Sequence, residues 1–250
     1  MSELVYPPVI TAAKTMFRLL DLRLDVSGSE HVPPTGGAVL ASNHVSYLDF
    51  IFCGYGAHPA KRLVRFMAKD SVFRHRVSGP LMRGMKHIPV NRAAGAGSYA
   101  AAVSALRRGE VVGVFPEATI SRSFVVKDLK NGAARMSQEA GVPLLPVALW
   151  GTQRLWTKGR PRTLTRRHTP ITIIVGDPMD PAAYPDATVM TADLRTRLSA
   201  LVDRAQREYP DQPSGPDDTW WQPAHLGGSA PTPEEAVELD RSERRTRSAS

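Results

Sequence analysis

Three short runs constrain this chain more than anything else in it: Ala38-Val39-Leu40-Ala41-Ser42, Val111-Val112-Gly113-Val114-Phe115 and Ile171-Thr172-Ile173-Ile174-Val175. Each is apolar almost throughout and too short for a buried helix, so each reads as a strand covered on both faces. Weaker strands accompany them. Leu22, Leu24 and Val26 alternate with charged residues and stop at Ser27-Gly28, and Val64, Phe66 and Ala68 alternate with Arg65, Met67 and Lys69, which puts Lys69 near a strand end. Pro89 in Ile88-Pro89-Val90 argues for an edge strand, and Pro146 places the strand Leu144 to Leu149 near an edge or a bulge. Helical segments lie between them: 9–20, with Ile10, Ala13, Phe17 and Leu20 on one side and Lys14 and Arg18 beside them; a short one in 78–84; 99–108, ended by Gly109; 132–140, ended by Gly141; and one from Thr191 that carries Leu194, Leu198, Leu201 and Ala205 on one face. Buried strands alternating with helices predict an α/β fold with a largely parallel central sheet flanked by helices, its site residues gathered at one rim.

A chain of 250 residues is long enough for one sizeable core of this kind. Residues 1–21 read as an amphipathic N-terminal helix and 22–210 as the folded domain. After Tyr209-Pro210 the composition turns to Pro, Asp, Gly and Ser and then to charge, so 211–250 is expected to be a mostly disordered tail. The pair Trp220-Trp221 is the place where it would dock on the core or touch a membrane. The net charge of +8 fits an anionic partner: a membrane surface, a phosphorylated substrate or a nucleic acid. The basic residues concentrate in 61–76 (Lys61, Arg62, Arg65, Lys69, Arg74 and Arg76, opposed by Asp70) and in 154–168. Cys53 is the single cysteine, which rules out an intrachain disulfide, and its apolar neighbours read as those of a buried, inert thiol. No apolar run approaches the roughly 20 residues of a transmembrane helix, and Lys14, Arg18 and Asp21 interrupt any signal-peptide core. The expectation is a cytoplasmic protein, peripheral on the cytoplasmic face of a membrane.

The buried strand 38–42 opens into Asn43-His44-Val45-Ser46-Tyr47-Leu48-Asp49. His44 and Asp49 are five apart, whereas helical neighbours are three or four apart. A turn before the helix settles would bring them together, with the carboxylate fixing one ring nitrogen and leaving the other as a general base. The plain alternative is a satisfied buried histidine and a helix-start aspartate. Glu117, just past the strand 111–115, is a second candidate site group or a turn cap.

Four stretches in order resemble the 1-acylglycerol-3-phosphate acyltransferase (PlsC-like) family of glycerolipid acyltransferases. Asn43-His44-Val45-Ser46-Tyr47-Leu48-Asp49 matches its N-H-x4-D block. Lys86-His87-Ile88-Pro89-Val90-Asn91-Arg92 resembles the second, Phe115-Pro116-Glu117-Ala118-Thr119 the F-P-E-G-T block, and Val142-Pro143-Leu144-Leu145-Pro146-Val147 the fourth. The resemblance covers roughly residues 22 to 180 and implies a single glycerolipid-acyltransferase-like domain. It also implies a reaction: His44 as general base and Asp49 orienting it, with an acyl group passing directly from acyl-CoA or acyl carrier protein to the free hydroxyl of 1-acyl-sn-glycerol 3-phosphate to give phosphatidic acid. Arg92 would bind the acceptor phosphate, Glu117 would hold the acceptor's glycerol, and Lys69, Asn43 and Thr119 complete the substrate-binding candidates. No metal and no cofactor is implied beyond the thioester co-substrate; the partners are that donor, a lysophospholipid acceptor and an anionic membrane surface. Two positions depart from the family: Ala118 stands where it has glycine and Ile120 where it has arginine, with Arg122 two residues on. Another lysophospholipid or a glycolipid is the alternative acceptor.

Two other classes compete. A serine hydrolase using Ser46, His44 and Asp49 is disfavoured because Ser46 is only two residues from His44 and no G-x-S-x-G elbow is present. A non-enzymatic basic module, binding membrane or nucleic acid, rests on net charge alone; the chain carries no nucleic-acid motif, and its remaining histidines are scattered.

Overall fold

The computed structural model describes residues 3–90 and 95–249. Among them, seven strands form one sheet: β1 (Arg23–Ser27), β2 (Ala38–Ser42), β3 (Val64–Lys69), β4 (Ile88–Val90), β5 (Val111–Val114), β6 (Leu144–Trp150) and β7 (Pro170–Val175). The helices are α1 (Tyr6–Leu19), α2 (Asp49–Gly56), α3 (Asp70–Arg74), α4 (Ser78–Gly84), α5 (Gly95–Arg107), α6 (Gly132–Ala140), α7 (Ala187–Arg207) and α8 (Pro233–Ala249). The strand order is β1-β7-β6-β2-β5-β3-β4, with every pair parallel except β6 and β7. This is the expected α/β architecture with a largely parallel sheet.

The pleat of β2 explains its sequence. Ala38 and Leu40 pack on one side, with Phe17 of α1 and Phe52 of α2. Val39 and Ala41 pack on the other, with Leu106 of α5, Ala134 of α6 and Leu194 of α7. A strand between two helical layers must be apolar at every position, and all five residues of β2 are buried. Cys53 lies in the first layer, and burial drives its thiol far above the usual range. Among the described residues, no helix is long and apolar enough to cross a membrane.

The structure settles one expectation and differs from three. Strand β6 is interior, between β7 and β2, so Pro146 marks a bulge and not an edge. The ladder to β7 breaks off there: it runs to Val147 opposite Val175, resumes only as an isolated bridge between Leu144 and Met179, and Pro146 serves solely as an acceptor for Gly176 N–H (2.8 Å). Helix α7 begins at Ala187, four residues before Thr191, because Asp186 caps it by accepting from Thr188 and Val189 N–H (2.6 and 2.9 Å). Two cations of the basic stretch 61–76 are committed inside the protein, while Lys61, Lys69, Arg74 and Arg76 stay exposed. Arg62 donates to the carbonyls of Pro33, Gly36 and Gly109, and buried Arg65 pairs with Glu3 and Glu110 (2.6 and 2.7 Å).

The third difference is the tail. Residues 216–221 form a short 3₁₀ segment, and Trp221 is 1 % exposed, edge-on to Tyr209 and under the Arg154 guanidinium at 4.5 Å. Asp211 pairs with Arg154 and Arg23 (both 2.6 Å). Burying one indole removes roughly 150–250 Å² from water, worth about 4–6 kcal/mol, enough to order several polar neighbours. Helix α8 follows, started by a capping box in which Thr232 and Glu235 exchange side-chain and backbone hydrogen bonds (2.8 and 3.3 Å).

Candidate active site

The ends of three adjacent strands make the site. Parallel register sets Ala41 of β2 beside Val114 of β5 and Pro146 of β6, so the loops that leave all three emerge together at the carboxyl rim. From β2 comes the 43–49 loop, from β5 the 115–131 loop, and from β6 the segment beginning at Gly151.

In the first loop His44 Nδ1 meets Asp49 Oδ2 at 2.9 Å. The turn, not the helix, brings them together, as the five-residue spacing requires: Asp49 is the first residue of α2 and reaches back over the loop that precedes it. Its Oδ2 also accepts Val45 and Ser46 N–H (both 2.7 Å), and its Oδ1 accepts the Thr152 hydroxyl (2.6 Å). Asp49 is 0 % exposed, so these donors replace the water it has lost. Facing a carboxylate, Nδ1 carries the proton, and Nε2 is the basic nitrogen. The His44 ring lies on Phe115 with centroids 4.3 Å apart, and its side chain keeps 20 % of its surface exposed.

Glu117 joins the second loop to the first. Its Oε1 accepts His44 N–H (2.8 Å) and its Oε2 accepts Lys127 N–H (3.2 Å). The protein's own backbone donates to both oxygens, so this buried carboxylate positions the His44 loop. Asn43 departs from its expected role: it is buried, its amide donates to Leu149 O (3.0 Å) and accepts Leu149 N–H (2.7 Å), and it ties the end of β2 to β6 instead of meeting substrate. Thr119 stays at the half-exposed rim, where its hydroxyl accepts from Lys127 Nζ (2.5 Å). Lys69 ends β3, exposed, two strands from β2 on the same rim. Arg92 lies outside the described residues. Ile120 points into the core, and Arg122 is ion-paired to α8 rather than standing in at position 120. Ser46 supports the turn, donating to Trp156 O (2.7 Å) and accepting Leu48 N–H (3.1 Å). His87, also buried, accepts Phe66 N–H (3.1 Å), and burial beside Arg65 lowers it to about 4, a structural neutral ring.

Thr152, Phe115 and Lys127 are parts of the site that the sequence reading missed. Thr152 carried a signal: it is a hydroxyl residue two positions past the end of a buried strand, the same placement as His44 after β2.

Burial pushes the Glu117 carboxyl up to about 7 from 4.5, against the pull of its two N–H donors and Lys127. The folded chain therefore holds this proton more tightly than the unfolded chain between those values, and the group's contribution to stability falls as pH rises through the window. Relative to Glu117→Gln, the native protein is expected to lose up to about 3 kcal/mol between about pH 4 and about pH 8. Urea unfolding at both pH values measures it; a difference independent of pH rejects the assignment.

Ala118 has φ of 62°, in the left-handed region where the resembled family has glycine. That backbone costs a non-glycine residue about 1–2 kcal/mol, of which glycine's unfolded-state entropy returns about 0.4–1 kcal/mol. Ala118→Gly is thus expected to raise stability by about 0.5–1 kcal/mol, read as a higher denaturation midpoint; a lower midpoint refutes the strain.

A narrow apolar cleft opens between α1 and α2, lined among others by Ile10, Ala13, Phe50, Gly54 and Phe66. Phe66 stacks parallel to Phe115 at 6.1 Å, so a file of rings leads from the cleft to His44.

Comparison with known proteins gives concordant results. The sequence model of the Acyltransferase family matches residues 23–150. A 1-acyl-sn-glycerol-3-phosphate acyltransferase of Bacillus subtilis is 28 % identical over 198 residues, 74 % of this chain and 92 % of that protein. One from Borreliella burgdorferi is 31 % identical over 144 residues, 56 % of each. The crystal structure of the 1-acyl-sn-glycerophosphate acyltransferase PlsC from Thermotoga maritima superposes with a TM-score of 0.70 at 23 % identity, over 82 % of this chain and 81 % of that one, and shares the fold.

Proposed function

The chain belongs to the acyltransferase family and is an acyltransferase, and on that premise we propose that it moves a fatty acyl group from a thioester carrier, acyl-CoA or acyl carrier protein, to the free hydroxyl of 1-acyl-sn-glycerol 3-phosphate, giving phosphatidic acid. The observation that carries this reading is the His44–Asp49 pair at 2.9 Å on an open rim. His44 Nε2 takes the proton of the acceptor hydroxyl as its oxygen attacks the thioester carbonyl. The carbon–oxygen bond forms, the carbon–sulfur bond breaks, and the thiolate leaves with the proton returned from the imidazolium. General base catalysis of this kind is worth about 10²–10⁴-fold. No acyl-enzyme is needed: Ser46 has its hydroxyl engaged on both sides and is buried. Arg92 is proposed to hold the acceptor phosphate as a bidentate donor, with Lys69 as a further cation on the same rim.

The cleft under α1 is proposed to take the acyl chain. Gly54 is its adjustable wall: a Cβ there makes ordinary contact with Phe66 at 3.5 Å, and a longer side chain fills the cleft. Gly54→Leu is expected to lower kcat/KM for palmitoyl-CoA about tenfold or more relative to octanoyl-CoA; an unchanged ratio removes the cleft from the reaction. Tyr47 and Phe50, 41 % and 37 % exposed, stand at the site's mouth and support contact with a lipid surface, as proposed for a peripheral protein.

The test is thiol release from palmitoyl-CoA by the purified protein, with and without lysophosphatidic acid, followed by lipid analysis. Release that requires the acceptor and yields phosphatidic acid is the expected result. Release without any acceptor makes the protein a thioesterase, and release only with another lysolipid reassigns the acceptor.

A further inference from the structure

Three cations converge beside the catalytic loops. Ser121 N–H is bonded to His44 O (2.7 Å), and Arg122 is the next residue. Its guanidinium crosses the turn at Gly159, whose φ is 77° and where an added Cβ would fall 2.3 Å from Arg122 Nη1. Lys158 comes from that turn. Lys127 reaches Thr119 Oγ1, and its backbone N–H holds Glu117.

Two carboxylates of α8 cover this cluster. Asp240 Oδ1 accepts from Arg122 Nε (3.0 Å) and Lys158 Nζ (2.6 Å). Glu243 Oε2 accepts from Arg122 Nη2 and Lys158 Nζ (both 2.8 Å). Among the described residues of the helix, the apolar side chains divide. Ala236 is buried, whereas Val237 and Leu239 are exposed. Helix α8 also lies outside residues 23–150, the part that matches the family. The ion pairs that bind α8 to this cluster are weakened by salt and open to displacement by another anion. Two carboxylate oxygens bridge the same guanidinium and ammonium, a set of donors that phosphate oxygens also take.

We propose that Arg122, Lys127 and Lys158 form a subsite for a phosphomonoester of a substrate, and that Asp240 and Glu243 of α8 occupy it as an internal competitor until that group arrives. Which phosphate it receives, that of the acceptor's glycerol or the 3′-phosphate of CoA, rests on the acyl-transfer reading; the existence of the subsite does not.

Calorimetric titration of the full chain with glycerol 3-phosphate and, separately, with adenosine 3′,5′-bisphosphate tests it. Asp240→Asn with Glu243→Gln removes the competitor without touching the core. If α8 covers the subsite about nine-tenths of the time, this variant is expected to bind one of the two compounds about tenfold more tightly, and the compound that responds identifies the source. Arg122→Gln with Lys158→Gln is expected to weaken the same compound about tenfold or more. Equal binding of both compounds by all three proteins overturns the proposal, as does binding of neither compound even when the two acids are removed. Binding differences in a protein that transfers no acyl group would uphold the subsite and reject the acyltransfer reading of its ligand.

Discussion

Replacing Asp49 by alanine is expected to cost the protein several kcal/mol of stability as well as its activity. One carboxylate, 0 % exposed, accepts from Val45 N–H, Ser46 N–H, Thr152 Oγ1–H and the His44 ring. Alanine leaves two backbone donors and a hydroxyl buried without partners, each worth about 1–3 kcal/mol. Asp49→Asn separates the two losses. Its carbonyl oxygen can take the place of Oδ2 and keep the three N–H donors, while its amide faces Thr152, whose hydroxyl turns to accept. That variant is expected to melt close to the native protein, yet to lose about 10²–10⁴-fold in kcat, because a neutral amide does not stabilise the imidazolium that forms when His44 takes a proton. Thermal melts of both variants beside their acyl-transfer rates decide the matter. An active Asp49→Asn enzyme would mean that the carboxylate is only a strut.

His44→Ala should remove catalysis and spare the fold. The ring is partly exposed, and the bonds that shape its loop, His44 N–H to Glu117 and Ser121 N–H to His44 O, belong to the backbone and survive the change. Loss of the general base is expected to lower kcat by about 10²–10⁴-fold, with KM for the thioester changed little and binding to anionic vesicles intact. A residual rate within tenfold of native would place the base elsewhere. A parallel loss of vesicle binding would show that the loop itself had collapsed.

Much of this was legible in the chain because it depends on near neighbours. The helix ends at Gly109 and Gly141 have φ of 83° and 65°, which glycine adopts without strain. The His44–Asp49 contact was also readable, since it closes within one short loop. Tail order was misread because Pro, Gly and Ser content averages over a segment, whereas Trp221 pays at a single point for ordering the residues around it. Pro146 left an edge and a bulge open, and the structure takes the bulge. A proline demands a missing ladder bond, and an interior strand can supply one where its partner bends away.

By itself, then, the sequence determined the strands, the helices 78–84 and 132–140, the two-layered covering of the sheet and the imidazole–carboxylate pair, all of which follow from periodicity and from contacts a few residues apart. Only the tertiary structure decided which groups meet that pair. Thr152 reaches Asp49 across 103 positions and Glu117 reaches His44 across 73, because β6 and β5 flank β2 in register. Asn43 became a strut for the same reason, its partner Leu149 lying 106 positions away. Arg122 and Lys158 reach Asp240 across 118 and 82 positions. Hydrophobic period records which face of a segment is buried. It carries no record of which segment lies alongside, since closing a long loop costs little more than closing a short one and many strand orders satisfy the same pattern.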